Sequence, residues 1–361
     1  MADKTKIEWT DATWNPITGC SVVSPGCTNC YAMKLAGTRL KNHPTRLGLT
    51  ADSKAGPVWN GQVRFNESML LDPLRWKRPR MIFVCAHGDL FAENVPDEWI
   101  DQVFAVMALA PHHTFQVLTK RPERMRAYLT PAAGDARQDV RNHLAWDVTA
   151  KVMNLWYREW KSEGIGGPHR SRGIAAFTVW PLPNVWLGVS VEDQKRADER
   201  IPVLLETPAA IRWISAEPLL GMLDVRRHIE MAHLDSELGL SNPGIDWVVA
   251  GGESGAGARP MHPDWARSLR DQCAAADVPF LFKQWGNWLG GTWEDIGDQG
   301  RFIPASGPDA APIPYLARDG YEHWFNAATW PEGPGAVRME KKYAGRMLDG
   351  VEHNGFPEVR S

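Results

Sequence analysis

Short apolar, β-rich runs alternate with longer amphipathic stretches over most of this chain. The runs are Arg80-Met-Ile-Phe-Val-Cys-Ala86, Thr114-Phe-Gln-Val-Leu118, Val185-Trp-Leu-Gly-Val-Ser190, Ala210-Ile-Arg-Trp-Ile-Ser215, Asp246-Trp-Val-Val-Ala250 and Pro279-Phe-Leu-Phe-Lys283. Each is predicted to be a buried strand. Asp97–Ala110 places Trp99, Ile100, Val103, Phe104 and Met107 at helical spacing. Pro122–Leu129, Gln194–Leu205 and Pro263–Ala276 are predicted helices too, the last with Trp265, Leu269 and Cys273 on one stripe. Gln62–Asn66 adds a strand, and Ser68 is placed to cap a helix over Met69–Trp76. An extended approach over residues 8–16 leads into a cysteine-bearing loop, then a helix over Ala32–Leu40. Residues 41–62 read as a loop containing Pro and Gly.

Strand, loop and helix therefore recur about eight times, which points to a parallel α/β sheet. The expected architecture is a TIM-type (β/α)8 barrel or a partial, splayed parallel barrel over residues 1–289. An open doubly wound sheet is the alternative. Residues 131–183 break the rhythm and read as an insertion, with a helix expected over 140–163. Residues 290–361 are rich in Gly, Pro and polar residues and read as an irregular tail, with a helix over Lys341–Leu348.

At 361 residues, 43% hydrophobic and 23% charged, the chain can bury a large core. A net charge of −3 argues against a strongly basic DNA-coating surface. No apolar run is long enough for a bilayer, and Met-Ala-Asp-Lys-Thr-Lys at the start has no apolar signal core. A cytoplasmic protein without a membrane partner is expected, and the five cysteines do not form a disulfide framework. The 18 tryptophans are mostly packing groups.

Three of the cysteines fall in one loop as Cys-x6-Cys-x2-Cys: Cys20, Cys27 and Cys30. Gly19, Pro25 and Gly26 permit turns that bring the thiols toward one point. Three thiolates can be closed by His43 into a structural zinc site. They can instead hold an iron–sulfur cluster with one iron left open, since such a cluster normally takes four thiolates. A buried Cys beside a chance Cys-x-x-Cys is the bland alternative. Cys85 and Cys273 stand apart.

The strand ends are unusually polar: Asn66-Glu67-Ser68, His87-Gly-Asp89, Thr119-Lys120-Arg121, Ser190-Val-Glu192-Asp193, Ser215-Ala-Glu217, Gly251-Gly252-Glu253-Ser254 and Lys283-Gln284. In parallel α/β proteins such groups gather at one mouth. Lys120, Arg121 and Lys283 can hold a phosphate or carboxylate. Asp89 can orient a base or move a proton. Gly251–Gly257 lacks a following Lys-Ser/Thr, so it is not expected to be a P-loop; the bland reading of Gly251-Gly252-Glu253 is a turn needing positive φ.

Thr13-Trp-Asn-Pro, Gly19-Cys20, Ser24-Pro-Gly-Cys27, Cys30-Tyr-Ala, Gly88-Asp-Leu-Phe91, Leu118-Thr-Lys-Arg-Pro122, Gly188-Val-Ser-Val-Glu192, Ser215-Ala-Glu-Pro-Leu219, Gly251-Gly-Glu-Ser-Gly255 and Lys283-Gln-Trp-Gly286 span most of the chain. In these the chain resembles a poorly characterised family of phage and prophage proteins with a three-cysteine motif. More loosely, the loop resembles the cluster loop of radical S-adenosylmethionine enzymes. It departs from their usual Cys-x3-Cys-x2-Cys in its first gap, and its aromatic, Tyr31, follows the last Cys. That resemblance implies a [4Fe-4S] cluster on Cys20, Cys27 and Cys30, with S-adenosylmethionine on the open iron. Glu67, Ser190, Glu192, Ser215, Glu217, Gly251, Gly252 and Glu253 are then candidates for cofactor contacts, although Gly-Gly-Glu comes far later than in those enzymes. Asp89, Lys120, Arg121 and Lys283 become candidate catalytic residues. Expected partners are an electron donor protein, a nucleic-acid base or nucleotide substrate, and a partner protein encoded nearby. The rival is a non-enzymatic zinc or iron–sulfur protein binding nucleic acid or a partner protein.

Overall fold

The computed structural model describes residues 5–130, 152, 154, 158, 180–229, 244–296, 299–305, 335–338 and 341–358. Its central feature is a seven-stranded sheet made by β1 (Ala12–Trp14), β2 (Met81–Val84), β3 (Thr114–Thr119), β4 (Val185–Ser190), β5 (Ile211–Ala216), β6 (Trp247–Gly251) and β7 (Phe280–Gln284). The strands lie in chain order, and the registers run parallel, with Ala12 opposite Ile82, Met81 opposite Thr114, Phe115 opposite Val185, Trp247 opposite Trp213 and Val248 opposite Phe280. Every residue of β4 and β6 is buried, as expected for a parallel sheet covered on both faces. A doubly wound sheet reverses its order at a switch point. The sequential order here instead fits a partial parallel barrel.

The expected eighth strand is not in this sheet. Arg64–Phe65 pairs antiparallel with Ile17–Thr18. The amide of Asn66 donates to Pro16 O, and its side chain donates to Asn15 O, tying this segment to the exit of β1. Ser68 is not a cap either. Helix Glu67–Leu70 starts from Asn66, and a second helix, Asp72–Arg75, begins at once with Pro73 in its first turn. The expected loop over 41–62 contains an antiparallel hairpin, Thr50–Ser53 against Gly56–Trp59.

Contacts divide the chain into two compact units. The first comprises Met1–Val23, Ala32–Val189 and Pro202–Arg212. Its core packs Trp14 against Phe115, with ring centroids 5.7 Å apart, and Trp9 against Phe83. Helix α1 (Tyr31–Gly37) turns Ala32, Met33 and Ala36 inward; α2 (Asp97–Leu109) buries Ile100, Val103, Phe104 and Met107. Helix α3 (Pro122–Leu129) buries Met125 and Leu129. The expected helix over 140–163, and most of the expected insertion, lie outside the described residues.

The second unit comprises Ser24–Tyr31, Ser190–Ile201 and Trp213–Ser361. Trp213 and Trp247 pack as a tilted pair with ring centroids 5.3 Å apart, and α5 (Pro263–Ala275) buries Ala266, Leu269 and Cys273. Helix α4 (Gln194–Leu205) crosses the boundary between the units' segments. The tail is more regular than expected: Trp288–Ile296 pairs antiparallel with Gln299–Pro304 and with Gly335–Arg338. The helix expected to reach Leu348 stops at Ala344. Gly345 takes φ +71° and donates its N–H to Lys341 O, a glycine-terminated end. Residues 353–355 then cover the open edge of β7: Phe282 N donates to His353 O, and Gly355 N to Phe280 O. A covered edge cannot recruit a foreign strand. A chain cut after Glu352 is expected to lose amide-exchange protection at Phe282 and to aggregate more readily, as hydrogen exchange and light scattering would report.

His113 is 1% exposed, with its Nε2 at 3.0 Å from Pro73 O. Burial first, then the charge of His112, lowers its pKa from 6.5 to about 4. The unfolded chain therefore binds this proton more readily than the folded one. Its contribution is present above pH 6.5 and is lost as pH falls toward 4. Urea titrations across that window should show stability falling by about 3 kcal/mol from this group. His113→Phe should flatten that part of the profile.

Candidate functional site

In the first unit the polar exits of β1, β2 and β3 meet around one guanidinium. Arg121 stands at the N-terminal cap position of α3. Its Nη1 donates to Asp89 Oδ2 at 3.0 Å and to Cys20 Sγ at 3.3 Å. Its Nε donates to Glu93 Oε1 at 3.0 Å, and its Nη2 to Ser21 O at 3.0 Å and Ser21 Oγ at 2.6 Å. Burial pulls the Arg121 pKa down, but Asp89, then Cys20 and Glu93, more than reverse this and hold it above its ordinary value. Burial raises the Glu93 pKa, and hydrogen bonds from Arg121 and Ser21 outweigh it, leaving Glu93 below its ordinary value.

Asp89 is engaged on both oxygens. Oδ1 accepts from Thr119 Oγ1 at 2.7 Å and Phe91 N at 3.0 Å; Oδ2 accepts from Lys120 N at 3.1 Å as well as from Arg121. This suits a bracket that fixes the turn after β3. Lys120 is thereby placed beside Asp89 through its backbone. His87 donates its amide to Asn15 Oδ1, and Arg46 Nη2 meets its Nδ1 at 2.9 Å. Burial, then the Arg46 charge, pushes the His87 pKa down to about 4. Glu67 lies exposed in the first turn of its short helix, not at the end of a main-sheet strand.

In the second unit the rest of the cysteine loop, Ser24–Tyr31, is held by two carboxylates. Glu192 follows β4 and is 0% exposed. Its Oε1 accepts from Gly26 N at 3.2 Å, and its Oε2 from Arg200 Nη1 at 3.0 Å. Arg200 also donates to Ser190 O at 2.8 Å. Glu253 follows β6; its Oε2 accepts from Asn29 Nδ2 at 2.9 Å, Arg259 N at 2.8 Å and Arg259 Nε at 2.9 Å. Arg259 Nη2 reaches both Glu253 Oε1, at 2.6 Å, and Pro25 O, at 3.0 Å. Asn29 also donates to Gly257 O. Glu192 and Glu253, expected as cofactor contacts, thus grip the loop that carries Cys27 and Cys30.

Glu217 pairs with Lys283 at 2.7 Å, and Ser215 Oγ lies 3.3 Å from Glu217 Oε2. Gln284 donates Nε2 to Ser254 Oγ at 2.9 Å, while its buried Oε1 has no hydrogen-bond partner among the described residues. Neither Gly251 nor Gly252 takes a positive φ. Gly252 is required for a different reason: a Cβ there would overlap the carbonyl oxygen of Trp285.

Four strand-end acids therefore each have a cation: Asp89 with Arg121, Glu192 with Arg200, Glu217 with Lys283 and Glu253 with Arg259. Sequence reasoning missed Arg200, Arg259, Asn29 and Glu93. Arg200 and Arg259 follow their acids closely in the chain, which was the available signal; Asn29, between two cysteines, gave none. None of the five cysteines is in a disulfide. Burial pushes Cys85 and Cys273 up to about 12, so both are unreactive packing groups. Among the described residues, no group of three or more His, Cys, Asp or Glu side chains is drawn together closely enough for a metal ion, the loop cysteines included. His43 Nδ1 lies 2.7 Å from Thr45 Oγ1. No helix of the described residues is long and apolar enough to cross a membrane.

Taken together, these features define a mixed α/β protein with a parallel sheet and ion-paired strand ends. The chain belongs to the family described as "Protein of unknown function (DUF5131)", which matches it over residues 4–357. No curated protein and no solved structure matches it at a significant level.

Removing Arg200 takes the paired cation from the buried Glu192 carboxylate. Arg200→Met is expected to cost about 3–5 kcal/mol in urea unfolding, and adding Glu192→Gln should recover much of that loss. Equal losses in the single and double variants would show that Arg200 acts by packing alone.

Proposed function

We propose that the chain is an iron–sulfur enzyme of the radical S-adenosylmethionine kind, with Cys20, Cys27 and Cys30 as ligands of a [4Fe-4S] cluster. The observation that carries this reading is placement. The three cysteines, none of them in a disulfide, belong to the loop that directly follows the first strand of a sequentially ordered parallel sheet, and charged groups follow the later strands. In kind and number the donors suit the group, since three thiols would leave one iron open to a ligand, although the three are not drawn together here. The unpartnered Oε1 of Gln284 is an acceptor suited to a ligand amine, in the unit where Glu217, Lys283 and Ser215 also gather. Bound together, cluster and cofactor supply one-electron chemistry, the reductive cleavage of S-adenosylmethionine and the removal of hydrogen from a substrate carbon.

The chain's own residues then bind and position. Lys120 and Lys283 are the cations for a substrate phosphate or carboxylate, with Lys283 exchanging or sharing Glu217. Ser190, Ser215 and Glu217 line the cofactor, and Glu192 and Glu253 act through the cysteine loop they hold. The resemblance to phage and prophage proteins favours a nucleic-acid base or nucleotide as substrate, an electron donor protein, and a partner encoded nearby. A second reading draws on the ion pairs. If all four strand-end acids serve structure alone, the chain is a zinc or iron–sulfur module that binds nucleic acid or protein.

Anaerobically purified protein separates the two. The enzyme reading expects iron and sulfide, a brown spectrum, and 5′-deoxyadenosine by mass spectrometry after S-adenosylmethionine and a strong reductant are added. Cys30→Ala should abolish all three. A colourless protein with one zinc would overturn it in favour of the module.

A further inference from the structure

We propose that Arg121 serves the metal-binding loop and not the substrate: its guanidinium is a fixed hydrogen-bond donor to the sulfur of Cys20, and Asp89 sets how strongly it donates. The inference rests on the reading above only in taking Cys20 as a ligand.

Counting donors carries the argument. A guanidinium has five N–H groups. Here Nε serves Glu93, Nη1 serves Asp89 and Cys20, and Nη2 serves Ser21 and, at 3.2 Å, Glu93 Oε2. Every N–H has an acceptor, so none remains for a substrate phosphate or carboxylate. The side chain is 7% exposed, and its own backbone is pinned where Arg121 N donates to Thr119 Oγ1 at 3.0 Å. It therefore has neither a spare donor nor room to swing toward a ligand. Four of its five acceptor groups are oxygens that fix its plane; the fifth is the Cys20 sulfur.

A donor on a ligand sulfur has two effects. It favours the thiolate, the form that reacts and binds metal. In a cluster it draws charge from the sulfur, which favours the reduced state and raises the potential. Asp89 opposes both, because its buried carboxylate shares Nη1 with the sulfur. Glu93 opposes them less, since its side chain is 54% exposed and screened by water.

The signs of two variants test this. In metal-free full-length chain, Cys20 alkylation by iodoacetamide at pH 7 is followed by peptide mass spectrometry. Arg121→Met is expected to slow it about threefold, and Asp89→Asn to quicken it by a similar factor. In chain loaded with iron and sulfide, the cluster midpoint potential should move down in Arg121→Met and up in Asp89→Asn. A merely structural role would move both variants the same way, because loosening the loop exposes Cys20 in each. Movement in one direction, or in neither, overturns the proposal. Should Arg121→Met not fold, Arg121→Lys takes its place, with the charge kept and the fork lost, and a smaller slowing is expected. If the loaded chain takes only zinc, the enzyme reading fails, while the alkylation rates still decide the role of Arg121.

Discussion

Glu192 sits as a carboxylate with no exposure to water, and the Arg200 guanidinium and the amide of Gly26 help to make that tolerable. Taking one charge out of water costs several kcal/mol, and a single partner at good geometry barely offsets it. The same constraint recurs at Asp89 and Glu253, each buried and each matched by an arginine. Packed apolar residues would do as well or better for stability alone. The repeated choice of charge at the exits of parallel strands is therefore best understood as a demand of position: these groups fix turns and loops to strand ends in directions that apolar packing does not specify.

The cysteine loop illustrates that demand. Its first cysteine is met by Arg121, itself bracketed by Asp89 and Glu93. Its second half is met by Glu192, Glu253 and Arg259, which take the amide of Gly26, the amide group of Asn29 and the carbonyl of Pro25. A segment with hardly any secondary structure of its own, one 3-10 turn over Pro25–Cys27, thus acquires defined backbone positions from side chains far along the chain.

Much of the fold was legible in local pattern. Val185–Ser190, Pro122–Leu129 and Gln194–Leu205 have the bounds the periodicity implies, because apolar period and breaker residues agree there. Arg64–Phe65 was misread for the opposite reason: period 2 marks a strand but not its partner, and the pairing with Ile17–Thr18 depends on the side chain and amide of Asn66. The hairpin at 50–59 was hidden because Thr50–Ser53 is largely exposed and carries no apolar alternation. At the site, the acids were visible as charges after strands, but their partners were not. Whether Glu253 faces a ligand or Asn29 is a matter of tertiary geometry, and no spacing rule encodes it.

The cover on β7 also has a consequence for synthesis. The strand Phe280–Gln284 is complete long before residues 353–355 exist, so its outer edge is bare for the whole interval in which the intervening chain is made. During that interval the nascent molecule carries an unpaired, apolar ribbon, the kind of surface that chaperones hold and that neighbouring chains on a polysome can capture. Recovery of intact protein would then depend on how soon residues 353–355 close that edge, as well as on the stability of the finished fold.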